Sequence, residues 1–158
     1  AAFFHILYHA LSKVFLFLAA GNILLRFSST KFAYVSGVIR ALPVTGVLFF
    51  GGFLAISGLP PFGMFFSKFL ILSAGANEHL LVMGTAVIAL AVVFYGFFRH
   101  VSPMLFGPLP EGIERGEANW LTLFPLIALA GLYLFLSFSV PEPLLAILSG
   151  AADMVNFK

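Results

Sequence analysis

The chain has 158 residues, of which 61% are hydrophobic and 9% are charged, with a formal net charge of +2. Soluble domains carry about 25% charged residues, so this composition excludes a water-soluble globule and predicts a polytopic α-helical membrane protein. Its 21 Phe residues need lipid or a membrane partner to cover them. The scattered basic residues predict no nucleic-acid partner. The absence of Cys excludes thiolate-bound metals and disulfides, so we predict no cofactor.

Five apolar segments follow one another along the chain. Crossing about 30 Å of hydrocarbon takes about 20 apolar residues in a helix, and the chain begins inside such a run without a signal-peptide pattern, so we expect a fragment of a longer protein. Residues 26–40 and 103–118 are predicted connections outside the bilayer, and residues 144–155 a short amphipathic end near the interface. The predicted helices of this all-α bundle are residues 3–25, 41–58, 61–75 (broken), 79–101 and 119–138.

A strong helix breaker separates the second and third segments. Pro60 and Pro61 remove two backbone donors and disfavour helix in the residues before them, between Gly58 and Gly63. The third segment is then only about 13 residues, or ~20 Å, long. We predict either a half-helix continued by irregular backbone around residues 74–77, or a re-entrant piece, because protein or water must shield such backbone.

His5, His9 and Lys13 recur every four residues on one stripe of the first helix. A Lys at the bilayer centre costs about 2.5 to 3.5 kcal/mol on insertion scales, so Lys13 should face protein, water or a partner. Because desolvation penalises a charged amine, a buried Lys can exchange its proton near neutral pH, as His does. The stripe predicts a proton relay bridged by water. Alternatively, each His is neutral and hydrogen-bonded to a neighbouring helix.

Lys68 is the second cation at mid-depth, on the short third segment. Freed backbone groups beside a broken helix make room for water and polarise a nearby charge, so we predict that Lys68 joins the relay. In the alternative, Pro60 and Pro61 form an ordinary turn and Lys68 reaches an interface. Arg99 and His100 are predicted interface anchors.

Other side chains suggest less chemistry. The loop residues Glu111, Glu114 and Glu117 are expected to be solvated, while Gly51, Gly52 and Ala55 are expected to let helices approach closely. His5 and His9 have the spacing of metal ligands but lack a third ligand, so no metal is predicted. The sequence contains no phosphate loop or nucleophile elbow, and no catalytic residue is predicted.

Two motifs resemble a known superfamily. The residues His9-Ala-Leu-Ser-Lys13 and Leu16-Phe-Leu-Ala-Ala-Gly21 resemble the lysine-bearing helix of the antiporter-like subunits shared by complex I, Mrp sodium/proton antiporters and membrane-bound nickel–iron hydrogenases. Gly58-Leu-Pro-Pro-Phe-Gly63 and Phe66-Ser-Lys-Phe-Leu70 resemble their broken helix. The runs 24–31 and 97–100 are most similar to component F of hydrogenase-4, of the formate hydrogenlyase type.

This resemblance implies a function. The chain would be the C-terminal half of an antiporter-like domain, a proton- or cation-translocating, non-redox subunit of a hydrogenase or complex I-like oxidoreductase in the inner membrane. Lys13 would be the central lysine, His5 and His9 its relay partners, and Lys68 the residue that exchanges protons with the outside. The partners would be other membrane and peripheral subunits and the lipid bilayer. A non-pumping membrane anchor and an Mrp-type antiporter subunit are the alternatives.

Overall fold

A computed structural model describes residues 1–117 and 119–156, with side chains described through residue 154. Every regular element in these residues is helical, which confirms the all-α prediction. The helices are α1 (Ala2–Phe27), α2 (Val38–Ala41), α3 (Pro43–Ser57), α4 (Gly63–Ala76), α5 (Leu80–Phe106), α6 (Trp120–Phe138) and α7 (Glu142–Asn156), with a 3₁₀ turn at Phe32–Tyr34.

Three of these helices are long and apolar enough to cross a membrane, namely α1, α5 and α6. The apolar helices α3 and α4 are shorter, with 15 and 14 residues, or ~22 and ~21 Å at 1.5 Å per residue. Helix α1 lies in the middle of the bundle, because it contacts α3, α4, α6 and α7.

Residues 35–42, which include the carboxyl end of the predicted 26–40 connection, pack into the helix bundle. Val35, Val38, Ala41 and Leu42 are buried there and join an apolar cluster with side chains of α1, α3 and α5. Pro43 then occupies the first turn of α3, where its missing N–H leaves no bond unmade. Helix α3 consequently begins two residues after the predicted start at residue 41.

Helix α5 extends five residues beyond its predicted end at residue 101. It passes through Pro103, which removes one helical hydrogen bond. Val101, Met104 and Leu105 are buried in the same apolar cluster, and the Gly107 amide donates to the Pro103 carbonyl. Tertiary packing here outweighs the local preference of Pro to end a helix.

Helix α4 is helical as far as Ala76, so the irregular backbone predicted around residues 74–77 is reduced to a short turn before α5. The interruption in this part of the bundle lies between Ser57 and Gly63, where α3 ends and α4 begins.

Small residues allow the central helices to approach closely, as predicted for Gly52. A Cβ atom on Gly52 would lie 2.5 Å from a ring carbon of Phe15, so α1 lies directly against α3 at this point. Gly63 has the same role at the start of α4, because its Cα faces the Tyr8 ring and a Cβ would overlap it. Gly51 has open space beside it and does not contribute to this contact.

Candidate functional site

An open groove of about 980 Å³ runs along α1 and is lined by side chains of α1, α3, α4 and α5. Most of its lining is apolar, with several Phe side chains. We call it the cationic groove. Its polar lining residues are His5, His9, Lys13, Ser57, Lys68 and His100.

The stripe on α1 forms one wall of the cationic groove. The rings of His5 and His9 are stacked with their centroids 6.0 Å apart. Lys13 continues the stripe and is exposed on the groove wall in this chain. The buried side of α1, which adjoins this stripe, carries Tyr8 and Ser12.

His5 joins the α1 stripe to α4. Its Nδ1 atom lies 3.2 Å from the Ser67 hydroxyl, and Ser67 directly precedes Lys68. The Ser67 hydroxyl also donates to the Met64 carbonyl at 3.0 Å. A hydroxyl can accept and donate at the same time, so Ser67 gives the imidazole a polar partner on the helix that carries Lys68.

Lys68 is half-buried and binds the carboxyl end of α3. Its Nζ donates to the carbonyl oxygens of Ile56 at 3.1 Å and Ser57 at 3.0 Å. The last carbonyls of a helix have no intrahelical partner and carry the negative end of the helix dipole. The side chain therefore places a cation where these carbonyls favour one.

The other carbonyls at this end of α3 are bonded by the chain itself. The Gly58 amide donates to Ala55 at 3.0 Å, and the Leu59 amide donates to Leu54 at 3.2 Å. This is the Schellman arrangement, with Gly58 in the left-handed region at φ 81°. Lys68 and the Schellman turn together satisfy all four terminal carbonyls of α3.

The expectation that the acidic loop is solvated is wrong for Glu117. One carboxylate oxygen accepts from the amides of Val44 at 2.9 Å and Thr45 at 3.0 Å, and the other accepts from the Thr45 hydroxyl at 2.6 Å. Glu117 therefore caps the amino end of α3 from a distant loop, whereas the N-cap position itself is Leu42. Its neighbour Glu114 is exposed and forms only a 3.4 Å ion pair with Arg26.

His100 was predicted to be an interface anchor, and the structure puts it on the groove wall, with its ring centroid 5.7 Å from that of Phe32. No local sequence signal indicates this placement, because it depends on how α5 lies against α1 and the connection after it. The involvement of Ser67 could have been suggested by the sequence, because this polar residue directly precedes Lys68.

Comparisons with known proteins give the same family throughout. The family described as "NADH:quinone oxidoreductase/Mrp antiporter, TM" matches residues 1–94. The chain is 30% identical to a Na⁺/H⁺ antiporter subunit of Alkalihalophilus pseudofirmus over 159 residues, which cover 98% of this chain and 31% of that protein.

Two further relatives come from other branches. The chain is 30% identical over 137 residues to a hydrogenase-4 component F homolog of Methylacidiphilum infernorum, covering 85% of this chain and 29% of that protein. It is 38% identical over 132 residues to the chloroplastic NAD(P)H-quinone oxidoreductase subunit 5 of Cryptomeria japonica, covering 78% of this chain and 18% of that protein. The chain thus spans less than a third of each of these relatives. With more than half of its residues matched and its helices arranged as described, it belongs to the NADH:quinone oxidoreductase/Mrp antiporter family of multi-pass membrane proteins.

Proposed function

We propose that this chain is the C-terminal half of an antiporter-like transmembrane domain, which moves protons or other cations as part of a larger complex. The complex is of the hydrogenase-4 and formate hydrogenlyase type, or complex I-like, and lies in the inner cell membrane. The observation that carries the proposal is the cationic groove, because His5, His9, Lys13 and Lys68 all line it. Ionisable groups inside a membrane bundle are costly and mark ion pathways.

His5, His9 and Lys13 have the role of relay residues in this proposal. Successive members of the stripe are one helical turn apart, ~6 Å along the axis. That spacing suits proton transfer through one or two water molecules between neighbouring side chains. The 3.2 Å contact of His5 with Ser67 supports continuation of the path towards α4.

Lys68 is the residue that exchanges protons with the outside. The carbonyl oxygens of Ile56 and Ser57 favour its protonated form, while partial burial opposes the charge. The amine therefore has polar partners at the interruption between α3 and α4, where the proposed proton exchange would take place. In this proposal redox chemistry is assigned to partner subunits, and these 158 residues contain no Cys that could hold a cluster.

An Mrp-type cation antiporter is the second candidate. It is favoured by the match to the Na⁺/H⁺ antiporter subunit of Alkalihalophilus pseudofirmus, which covers 98% of this chain. The groove chemistry fits both candidates, because Lys and His can carry protons in either. They differ in whether electron transfer in partner subunits drives the cation.

The first test replaces Lys13 or Lys68 by Ala in the full-length protein, assembled in its complex and reconstituted into vesicles. We expect coupled proton uptake to fall at least about tenfold, which corresponds to a barrier raised by about 1.4 kcal/mol. Electron transfer should persist or slow. The exposed loop residue Lys31 provides the control, and Lys31→Ala should transport normally.

Each alternative predicts a different result. Unchanged proton uptake in both the Lys13 and the Lys68 variant would contradict the relay. This chain would then be a non-pumping anchor, and the protons would cross elsewhere in the complex. Cation exchange that runs without hydrogen evolution or quinone reduction would identify an Mrp-type subunit. Copurification with hydrogenase polypeptides would favour the first candidate.

A further inference from the structure

Helix α3 is held at both ends by charged side chains from other elements. Glu117 accepts three hydrogen bonds at its amino end, from the Val44 and Thr45 amides and the Thr45 hydroxyl. Lys68 donates two at its carboxyl end. The anion lies at the positive end of the helix dipole and the cation at the negative end, so both contacts are favourable.

The loop that supplies Glu117 is itself fixed to the bundle. The Gly116 amide donates to the Ala41 carbonyl at 2.7 Å, and an Arg26 guanidinium N–H donates to the Gly116 carbonyl at 2.6 Å. Arg26 belongs to the last turn of α1. Glu117 therefore ties the amino end of α3 to the carboxyl end of α1.

The polar contacts of α3 are concentrated at its two ends. Between Thr45 and Ser57 the helix carries only apolar side chains and glycines, which pack closely against α1 at Gly52 but provide no side-chain hydrogen bond that fixes the axial position. Asn22 of α1 reaches the Thr45 hydroxyl at a long 3.4 Å. A small axial shift would carry the Ile56 and Ser57 carbonyls away from the Lys68 amine, about 22 Å from the N-cap.

We propose that Glu117 is a positioning residue for Lys68 and acts through helix α3. Its carboxylate fixes the axial position of α3, and this position keeps the two terminal carbonyls on the Lys68 amine. Direct attraction between the two charges is weak over that distance, so the effect is transmitted by the helix. Only the transport consequence of this inference rests on the proposed function.

The first experiment measures the Lys68 amine without measuring transport. The full-length protein in its complex is treated with a small membrane-permeant acylating reagent, and modification of each Lys is followed by mass spectrometry. Only a neutral amine that is free of its carbonyl partners reacts. Loss of an N-cap changes a local equilibrium about 5- to 30-fold, so Glu117→Ala should raise the acylation rate of Lys68 at least about fivefold.

Two controls separate positioning from general loosening. Acylation of Lys13, on α1, should be unchanged in Glu117→Ala. The variant Glu111→Gln removes an exposed charge from the same loop and should leave Lys68 unchanged. Lys68 acylation that stays at the wild-type rate in Glu117→Ala, or that rises in parallel with Lys13, would overturn the proposal.

If the Glu117→Ala variant does not assemble, Glu117→Gln tests whether the Glu117 carboxylate positions the Lys68 amine. The amide oxygen can still accept from the Val44 and Thr45 amides, but the charge is gone. We expect an acylation rate between those of the wild type and the Ala variant. A wild-type rate in Glu117→Gln and an Ala variant that fails to assemble would together contradict the proposal, because Glu117 would then serve folding alone.

A double-mutant cycle tests the transport consequence. If Glu117 acts through Lys68, Glu117→Ala should slow proton uptake in the wild type and have no further effect when Lys68 is Ala. Full additivity would overturn the inference. If Lys68→Ala alone leaves transport unchanged, the proposed role of Lys68 in transport is contradicted, while the acylation measurement still decides the role of Glu117.

Discussion

Gly58 has two functions that no other residue type combines at this position. It adopts φ 81°, which costs an L-residue about 1 to 2 kcal/mol. A Cβ atom there would lie 2.7 Å from Lys68 Cδ and 3.0 Å from its Nζ. Gly58 thus ends α3 and leaves the space through which the Lys68 side chain reaches the Ile56 and Ser57 carbonyls.

We predict that Gly58→Ala lowers the free energy of unfolding by at least about 1 to 2 kcal/mol and displaces the Lys68 amine. Thermal unfolding of the purified complex measures the first effect, and Lys68 acylation measures the second. Gly51→Ala is the matched control, because Gly51 lies inside the same helix with open space around it. That substitution should be neutral or stabilising by about 0.5 to 1 kcal/mol, and an equal loss in both variants would contradict the special role of Gly58.

Helices α1, α4 and α6 meet at a junction beside the interruption. The Tyr8 hydroxyl of α1 donates to the Leu136 carbonyl at 2.7 Å, in the last turn of α6. At the start of α4, the Gly63 amide donates to the Ser137 hydroxyl at 3.0 Å. Helix α6 therefore holds the beginning of α4 and helix α1 together.

We predict that Tyr8→Phe lowers the free energy of unfolding by about 1 kcal/mol, because the terminal Leu136 carbonyl loses its donor in a buried site. The measurement is thermal or detergent-induced unfolding of the complex. Tyr95→Phe removes the same atom from a side chain that is 65% exposed on α5, and should have no effect. Equal stability of the two variants would show that the buried hydrogen bond contributes nothing.

The molecule as a whole leaves α5 uncovered on its outer side. None of the most apolar 18-residue window of this helix is buried within the chain, so lipid or another part of the assembly must cover it. Its inner side lines the cationic groove. A relay in that groove requires water there. The outer face of α5, covered by lipid or protein, should be dry.

Two neighbouring residues of α5 can test for this water. Val93 lines the groove, and Val92 is a 65% exposed residue outside it. These 158 residues contain no native Cys, so labelling of a Cys introduced here can be followed on its own peptide by mass spectrometry. A thiol must ionise to react, which requires water. In the assembled complex, Val93→Cys should react with a water-soluble maleimide at least about tenfold faster than Val92→Cys. Equal rates would argue against a hydrated groove.

Features that depend on neighbouring residues were predictable without the structure. Apolar runs predicted the membrane helices, because a bilayer accepts backbone only when its hydrogen bonds are made within the segment. Gly58, Pro60 and Pro61 predicted the interruption between α3 and α4 through their local backbone restrictions. The spacing of His5, His9 and Lys13 predicted their common face by helical geometry.

The tertiary contacts of these side chains could be identified only from the folded structure. The contacts of His5 with Ser67, Tyr8 with Leu136 and Glu117 with Thr45 join residues 62, 128 and 72 positions apart. The same holds for the path of α5 through Pro103, which packing against the connection after α1 stabilises. Composition and periodicity carry no information about such pairs. The sequence therefore located the ionisable residues, while long-range packing determines that Lys68 binds the end of α3 and that Glu117 holds the other end.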